Sequence, residues 1–219
     1  MALSLIKNLY EYYQSPKIDL LVNDDTIAVA KMLPFIDCIY TFSYQKKRNQ
    51  RWKQEKEVIK SIYRKYDLSI NLTASDRSVV YALLASKKSI SAVEKDNKKS
   101  WWKKILLTNH YYFDVTQHIL LNNLESLKFL NIEQAPIQNS ANISDEVMDT
   151  VRKKLTILGI SDFIIFHPSA QYKYKIYPQY SRDELLSLLS KLGVSIVVTG
   201  TNNKIDTEIK LNLPSLPNI

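Results

Sequence analysis

Helical and extended segments alternate along the chain. In the first 135 residues, apolar side chains recur at helical spacing in some segments and form short continuous runs in others. The first pattern predicts helices at 1–13, 23–33, 50–66, 75–84 and 116–130, with Trp52, Val58, Ile59, Ile62 and Tyr63 on the inner face of the third. The second pattern predicts strands at 18–22, 36–42, 66–72 and 88–93.

A polar, turn-prone segment interrupts this alternation. It contains Pro136, Asn139, Ser140 and Asn142, and residues of these types favour turns over helices and strands. The alternation then resumes, with helices predicted at 144–158 and 181–193 and strands at 163–166 and 194–199. We therefore expect two domains, residues 1–135 and 144–219, joined by a linker at 136–143.

The strands are apolar on both faces and alternate with helices, which is typical of parallel sheets that carry helices on each side. The sequence therefore predicts an α/β fold. Ligands of such sheets bind at the carboxyl ends of the strands. This rule directs attention to two loops, the one after Phe166 and the one after Thr199.

Composition removes several classes of site. Three glycines among 219 residues leave no Gly-rich phosphate loop. One cysteine, Cys38, excludes a disulfide framework, and three dispersed histidines make a zinc site built by the protein improbable. No apolar run has the length of a membrane span and the N-terminus lacks a basic region before its apolar stretch, so we expect a cytoplasmic protein.

The net charge of +8 makes an acidic partner plausible. Basic residues are frequent in the helix predicted at 50–66, which could bind nucleic acid or could be an ordinary solvated face. Trp101 and Trp102 lie among Lys98, Lys99, Lys103 and Lys104. That segment could touch a membrane surface, and plain packing explains it equally well.

The loop after Phe166 contains the most informative residues. Ser169 and Ala170 are small enough to let a ligand approach the backbone directly after a strand. Lys175 then offers a cation where a phosphate would lie, although an ordinary loop with a surface lysine fits the same residues. His167 either contacts a ligand or holds the loop by a hydrogen bond.

The segment 167–178 resembles the H-P-[GS]-[AS]-x…K-x-[WY]-P signature of glycosyltransferase family 9, the ADP-heptose:lipopolysaccharide heptosyltransferases. Other segments resemble motifs of that family in the same order. They are 34–40, which is similar to its P-x-I-D segment, and 66–78, 118–132 and 197–200. The similarity covers nearly the whole chain.

The resemblance implies a GT-B-like fold with two Rossmann-like domains, the first holding an acceptor and the second a nucleotide-sugar. It implies transfer of a heptose from an ADP-sugar to the lipopolysaccharide inner core, with inversion, no metal and no cofactor. The resemblance then argues against nucleic acid as a partner. It is compatible with peripheral contact of the protein with the inner face of the inner membrane. The resemblance places Lys175, Ser169, Ala170, Thr199, Gly200 and His167 at the donor, and Asp76 and Arg77 on the acceptor side.

Two family motifs have no counterpart. An R-x-G-D loop, whose Asp is the family's general base, would precede Met1, and a D-x-G-x-x-H motif would follow Ile219. The acidic residue near the donor ribose is not clearly matched, with Asp206 slightly later than expected. We therefore expect both domains to be incomplete, no catalytic residue in this chain, and an inactive fragment.

Overall fold

The computed structural model describes residues 2–46, 48–95, 98–135, 141–170 and 172–219. The chain forms two compact units, residues 1–142 and 143–219. Most of the expected linker, residues 136–140, lies outside the described residues. Asn142 belongs to the first unit, where its backbone N–H donates to the Met32 carbonyl at 2.8 Å.

The first unit contains two parallel sheets. One pairs β1 with β2, and the other has the order β3-β4-β5. The strands are β1 (Asp19–Asn23), β2 (Cys38–Phe42), β3 (Tyr66–Asn71), β4 (Ser86–Val93) and β5 (Asn109–Tyr112). The helices are α1 (Leu3–Tyr12), α2 (Ile27–Ala30), α3 (Arg48–Ile62), α4 (Asp76–Ala85), α5 (Trp101–Leu106) and α6 (Ile119–Leu124).

The centre of this unit is the strand β4, where Ile90, Ala92 and Val93 are completely buried. Helix α4 begins after Ser75, whose hydroxyl accepts from the Ser78 N–H and so caps the helix. The helix predicted at 116–130 forms as α6 followed by a 3₁₀ segment, Glu125–Leu130. Its apolar spacing also predicts five inward residues, of which Ile119 is half-buried and four are buried: Leu120, Leu124, Leu127 and Leu130.

The predicted inner face of α3 is partly wrong. Val58 and Ile62 are buried, but Trp52 is 67% exposed and Tyr63 is 59% exposed. The buried stripe of this helix runs through Gln54, Val58 and Ile62, which are four residues apart. Trp52 lies two residues before this stripe and therefore faces away from it, because successive helical residues are separated by about 100°.

The second unit contains α7 (Asp145–Ile157), β6 (Phe163–Phe166), α8 (Gln179–Ser190), β7 (Ser195–Val198) and α9 (Lys204–Leu211). Strands β6 and β7 pair in parallel, from Phe163 with Ser195 to Phe166 with Val198. Gly159 has a φ of +65°, as expected for the residue that ends α7.

The prediction that helices cover both faces of this sheet is wrong for β6. Ile165 is 63% exposed and Phe163 is 36% exposed. Helix α7, the element before β6, has no buried residue. The apolar sequence of β6 predicted that both faces of the strand are buried. The described residues instead cover only the face that carries Ile164 and Phe166.

Candidate functional site

The two loops singled out by the sequence leave the same edge of the β6–β7 sheet. The strands are parallel, and the Thr199 N–H donates to the Phe166 carbonyl at 3.0 Å, which extends their pairing by one residue. Residues 167–170 therefore lie beside residues 199–201. This is the edge at which ligands of parallel sheets bind.

A chain of polar side chains connects these loops. His167 Nδ1 lies 3.0 Å from Thr199 Oγ1, and His167 Nε2 lies 3.4 Å from Ser169 Oγ. Both ring nitrogens of His167 are thus engaged within the protein, so the imidazole holds the two loops together. Its ring remains exposed at the strand edge, with Thr199 and Gly200 also exposed beside it.

Asp206 belongs to the same edge, although the sequence did not assign it to the site. Its carboxylate Oδ2 accepts from the Thr201 N–H at 2.5 Å and from Thr201 Oγ1 at 2.8 Å. The Ser169 hydroxyl and these Thr201 donors hold the pKa of Asp206 below its usual range. Asp206 is therefore an anion that fixes the loop after β7.

A side chain at Gly200 would crowd Asp206, which approaches the backbone there. A Cβ at Gly200 would lie 3.3 Å from Asp206 Oδ2, which is tighter than an ordinary contact. The Asn203 side chain accepts from the Asp206 N–H at 2.8 Å and so caps α9. An Asn three residues before an Asp at a helix start is the sequence signal that could have revealed both α9 and the position of Asp206.

Lys175 lies on an exposed 3₁₀ turn, Lys173–Lys175. Its ammonium lies 5.5 Å from the ring centroid of Tyr172 and 5.8 Å from that of Tyr174, and these rings stack on each other. Within the described residues, no hydrogen bond or ion pair joins Lys175 to the polar chain around His167. Ala170 follows Ser169 and is partly buried.

Asp76 and Arg77 lie at the start of α4 in the first unit, and both have protein partners. Asp76 Oδ1 lies 2.8 Å from Lys103 Nζ. Arg77 Nε lies 3.2 Å from Glu55 Oε1. The Arg77 guanidinium also lies over the ring of Phe42 at 5.6 Å. These two side chains therefore organise the edge of the first unit.

Lys103 is the centre of an ion cluster at that edge. Its side chain is fully buried, and its ammonium contacts Glu94 Oε2 at 2.9 Å and the Ala74 carbonyl at 2.5 Å in addition to Asp76. Burial opposes the charged form, but the hydrogen bonds to Asp76 and Glu94 raise the pKa of Lys103 above its usual value. The cluster keeps the lysine protonated.

The first unit also contains a cleft of about 260 Å³ that the sequence did not predict. It opens at the carboxyl ends of β1 and β2, beside α3. Its lining carries both signs of charge and several hydroxyls, and includes Asp24, Thr41, Ser43, Lys46, Gln54 and Glu57. Gln54 is buried there. Its side-chain oxygen accepts from the Ser43 N–H, and its Nε2 donates to the Ser43 carbonyl.

No helix in the described part of the chain combines the length and the apolar character needed to cross a membrane.

The model of glycosyltransferase family 9 (heptosyltransferase) matches residues 56–218. Lipopolysaccharide heptosyltransferase 3 of Escherichia coli strain K12 is 26% identical over 201 residues, which cover 89% of this chain and 57% of that protein. A second Escherichia coli lipopolysaccharide heptosyltransferase 3 is 23% identical, over 92% of this chain and 60% of the relative. The chain thus spans less than two thirds of the length of these relatives.

Solved structures show the same fold. A family 9 glycosyl transferase from Veillonella parvula superimposes with a TM-score of 0.81 and 17% identity, over all of this chain and 63% of that one. The Escherichia coli heptosyltransferase WaaC with ADP-2-deoxy-2-fluoro heptose gives a TM-score of 0.69 and 14% identity, over 96% of this chain and 69% of that one. These likenesses confirm the predicted α/β, GT-B-like fold class. The family match covers most of the sequence, and the chain therefore belongs to glycosyltransferase family 9, the heptosyltransferase family.

Proposed function

We propose that the edge of the β6–β7 sheet binds the nucleotide part of an ADP-sugar. The observation that carries this proposal is the hydrogen-bonded chain Ser169–His167–Thr199, which joins the two strand-end loops. Parallel sheets bind nucleotides at this edge, and the chain belongs to a family of sugar-nucleotide transferases. Solved structures of the Escherichia coli heptosyltransferase WaaC are with ADP and with ADP-2-deoxy-2-fluoro heptose.

Each residue has a distinct part in the proposed binding. Ser169 and Ala170 leave room for the diphosphate at the backbone, and the exposed Lys175 on the neighbouring turn supplies a positive charge to it. Thr199 and Gly200 approach the nucleoside. His167 positions the two loops because it contacts Thr199 across them. Asp206 positions the loop after β7 because it accepts from the Thr201 N–H.

We propose that the whole enzyme transfers heptose, or a related sugar, to the lipopolysaccharide inner core. The transfer inverts the anomeric centre of that sugar. The two curated relatives are lipopolysaccharide heptosyltransferases, which supports this acceptor. Asp76 and Arg77 would lie on the acceptor side, where they shape the edge through Lys103 and Glu55.

We further propose that the transfer needs no metal, because cations and backbone N–H groups can neutralise a leaving diphosphate. The sequence contains no Asp-x-Asp motif. It also contains no Arg-x-Gly-Asp segment, to which the family resemblance assigns the general base. We therefore expect the 219-residue chain to bind the donor nucleotide without catalysing transfer by itself.

Calorimetric titration of the chain with ADP tests this proposal. Lys175→Ala should weaken ADP binding roughly tenfold, because a charge-assisted contact to phosphate is lost. Lys173→Ala is the matched control, because Lys173 is an exposed lysine on the same turn. Unchanged ADP binding in Lys175→Ala, or an equal loss in both variants, would contradict the role of Lys175.

The alternative of a nucleic-acid-binding module makes a different prediction. Its basic helix α3 does expose Arg51, Lys53, Lys56 and Lys60. Binding through such a face should weaken steeply with salt and should not respond to Lys175→Ala. Selective binding of ADP over single-stranded DNA supports the transferase, whereas the opposite selectivity supports the alternative.

A further inference from the structure

Four exposed tyrosines follow the strand β6 in the short segment 172–180: Tyr172, Tyr174, Tyr177 and Tyr180. The rings of Tyr172 and Tyr174 stack on each other, with their centroids 5.6 Å apart and their planes inclined by 22°. We call these two residues the tyrosine pair. Tyr174 is 79% exposed and Tyr172 is half exposed, so the pair presents aromatic surface to the solvent.

Hydrogen bonds hold the backbone that carries the tyrosine pair. The Lys175 N–H donates to the Tyr172 carbonyl at 2.9 Å, and the Ile176 N–H donates to the Lys173 carbonyl at 3.1 Å. These bonds close the 3₁₀ turn, and a tyrosine side chain adds only two rotatable bonds. Fixing both rings against a ligand therefore requires little loss of conformational entropy.

A positive charge lies beside the tyrosine pair. The Lys175 ammonium is 5.5 Å from the ring centroid of Tyr172 and 5.8 Å from that of Tyr174. Lys173 is exposed on the same turn, and the segment 163–182 contains no acidic residue. The turn therefore attracts an anionic group, and a ring bonded to that group would meet the tyrosine pair.

The order of the parts along a sugar nucleotide identifies that ring. In the proposed function, the nucleoside lies at Thr199 and Gly200, in the loop after β7, and the diphosphate lies at Lys175. The sugar of such a ligand is bonded to the terminal phosphate, on the side of the diphosphate that faces away from the nucleoside. Because the tyrosine pair contacts Lys175, the sugar is the part of the ligand that falls next to the two rings.

We propose that the tyrosine pair stacks on the sugar of the ADP-sugar and so favours the sugar nucleotide over ADP. The C–H groups on one face of a pyranose ring carry small positive partial charges, and the face of a tyrosine ring is negative, so the two faces attract each other. Stacking also removes apolar surface of both rings from water. The inference rests on the proposed function, because it requires the nucleotide to lie at the strand-end edge.

Calorimetric titration of the full chain with two ligands tests the sugar contact. The ligands are ADP and ADP-2-deoxy-2-fluoro heptose, and the readout is the ratio of their affinities. The double variant Tyr172→Ala, Tyr174→Ala should weaken binding of the sugar nucleotide roughly fivefold relative to ADP. Any displacement of Lys175 in this variant acts through the diphosphate that both ligands share, so it does not produce this change in the ratio.

Two further variants are the matched controls. Tyr180→Ala removes a tyrosine that is 80% exposed at the start of α8, and it should keep the wild-type ratio. The double variant Tyr172→Phe, Tyr174→Phe keeps both rings and should also keep the ratio, because stacking does not need the hydroxyls. Saturation-transfer NMR gives a second readout. Transfer from the protein to the sugar protons should fall in the double alanine variant, while transfer to the adenine protons persists.

Several results would overturn the sugar contact. An unchanged ratio in the double alanine variant, with weaker binding of both ligands, would place the adenine base on the rings instead of the sugar. An equal fall of the ratio in Tyr180→Ala would remove the special role of the pair, and a fall in the double phenylalanine variant would assign the contact to the hydroxyls. Binding of ADP with a ratio that no variant changes would leave the nucleotide site standing without the sugar contact, whereas binding of neither ligand would overturn both.

Discussion

Lys103 shows how one buried charge organises an edge of the first unit. Its ammonium joins the start of α4, through Asp76, to Glu94 at the end of β4. A fully buried ammonium is costly unless carboxylates and carbonyls satisfy it, and here three acceptors do so. The lysine therefore belongs to the framework of this edge, although the sequence grouped it with surface lysines around Trp101 and Trp102.

Replacing this lysine should destabilise the chain. Lys103→Met removes the charge and leaves the Ala74 carbonyl and two carboxylates without their partner, so we expect a loss of about 2–4 kcal/mol in the free energy of unfolding. Lys104→Met on the same helix should cost less than about 0.5 kcal/mol, because Lys104 lies at the surface. Urea denaturation measures both, and equal losses would contradict the structural role of Lys103.

The stability lost in Lys103→Met should depend on pH, because Lys103 contacts the carboxylate of Glu94. Burial raises the pKa of Glu94, but the hydrogen bonds from Lys103, the backbone and Ser100 act together with the charge of Lys103, and the net pKa lies below the usual value. A lowered carboxyl pKa contributes stability that is present above the unfolded pKa and is lost as the pH falls through the folded pKa. The stability gap between wild type and Lys103→Met should therefore narrow in acid.

At the scale of elements, hydrophobic periodicity predicted the framework and missed three pieces. Strands β1 to β4, β6 and β7 were recognised because each is a short apolar run. Strand β5 reads Asn109-His110-Tyr111-Tyr112 and gives no such run, and α5 turns much of its apolar surface outward. Helix α9 was missed although Asn203 caps it.

The sequence predicted part of the candidate site and missed the rest, as it did for the helices and strands. The meeting of His167 with Thr199 follows from two parallel strands that end in register. Asp206 was left unassigned because it lies on α9, which was not predicted. The packing of Lys175 against Tyr172 and Tyr174 depends on the shape of an irregular turn, and residue spacing carries no information about such a turn.

The cap of α9 can be tested directly. Asn203→Ala removes the acceptor of the Asp206 N–H and should cost about 1 kcal/mol of local helix stability. The amides of α9 should then exchange with solvent roughly fivefold faster, as hydrogen-exchange mass spectrometry would detect. Asn203→Asp keeps a capping oxygen and should exchange like the wild type. Unchanged exchange in Asn203→Ala would show that the cap does not hold this helix.

At the scale of the whole molecule, the two units carry different surfaces. The second unit holds the proposed donor edge, whereas the first holds the ion cluster around Lys103 and the polar cleft beside α3. The second unit also leaves Ile165 and the apolar residues of α7 uncovered by described residues. The chain spans 57–60% of the length of the curated relatives it matches.

The strand-end edge of the second unit is the proposed nucleotide site. Titration of the ¹⁵N-labelled chain with ADP, followed by amide NMR, tests it most directly. We expect saturable shifts at the amides of His167, Ser169, Ala170 and Lys175 and of residues 199–201, with residues 76 and 77 unmoved. Saturable shifts confined to the first unit, or no shifts at millimolar ADP, would contradict the account.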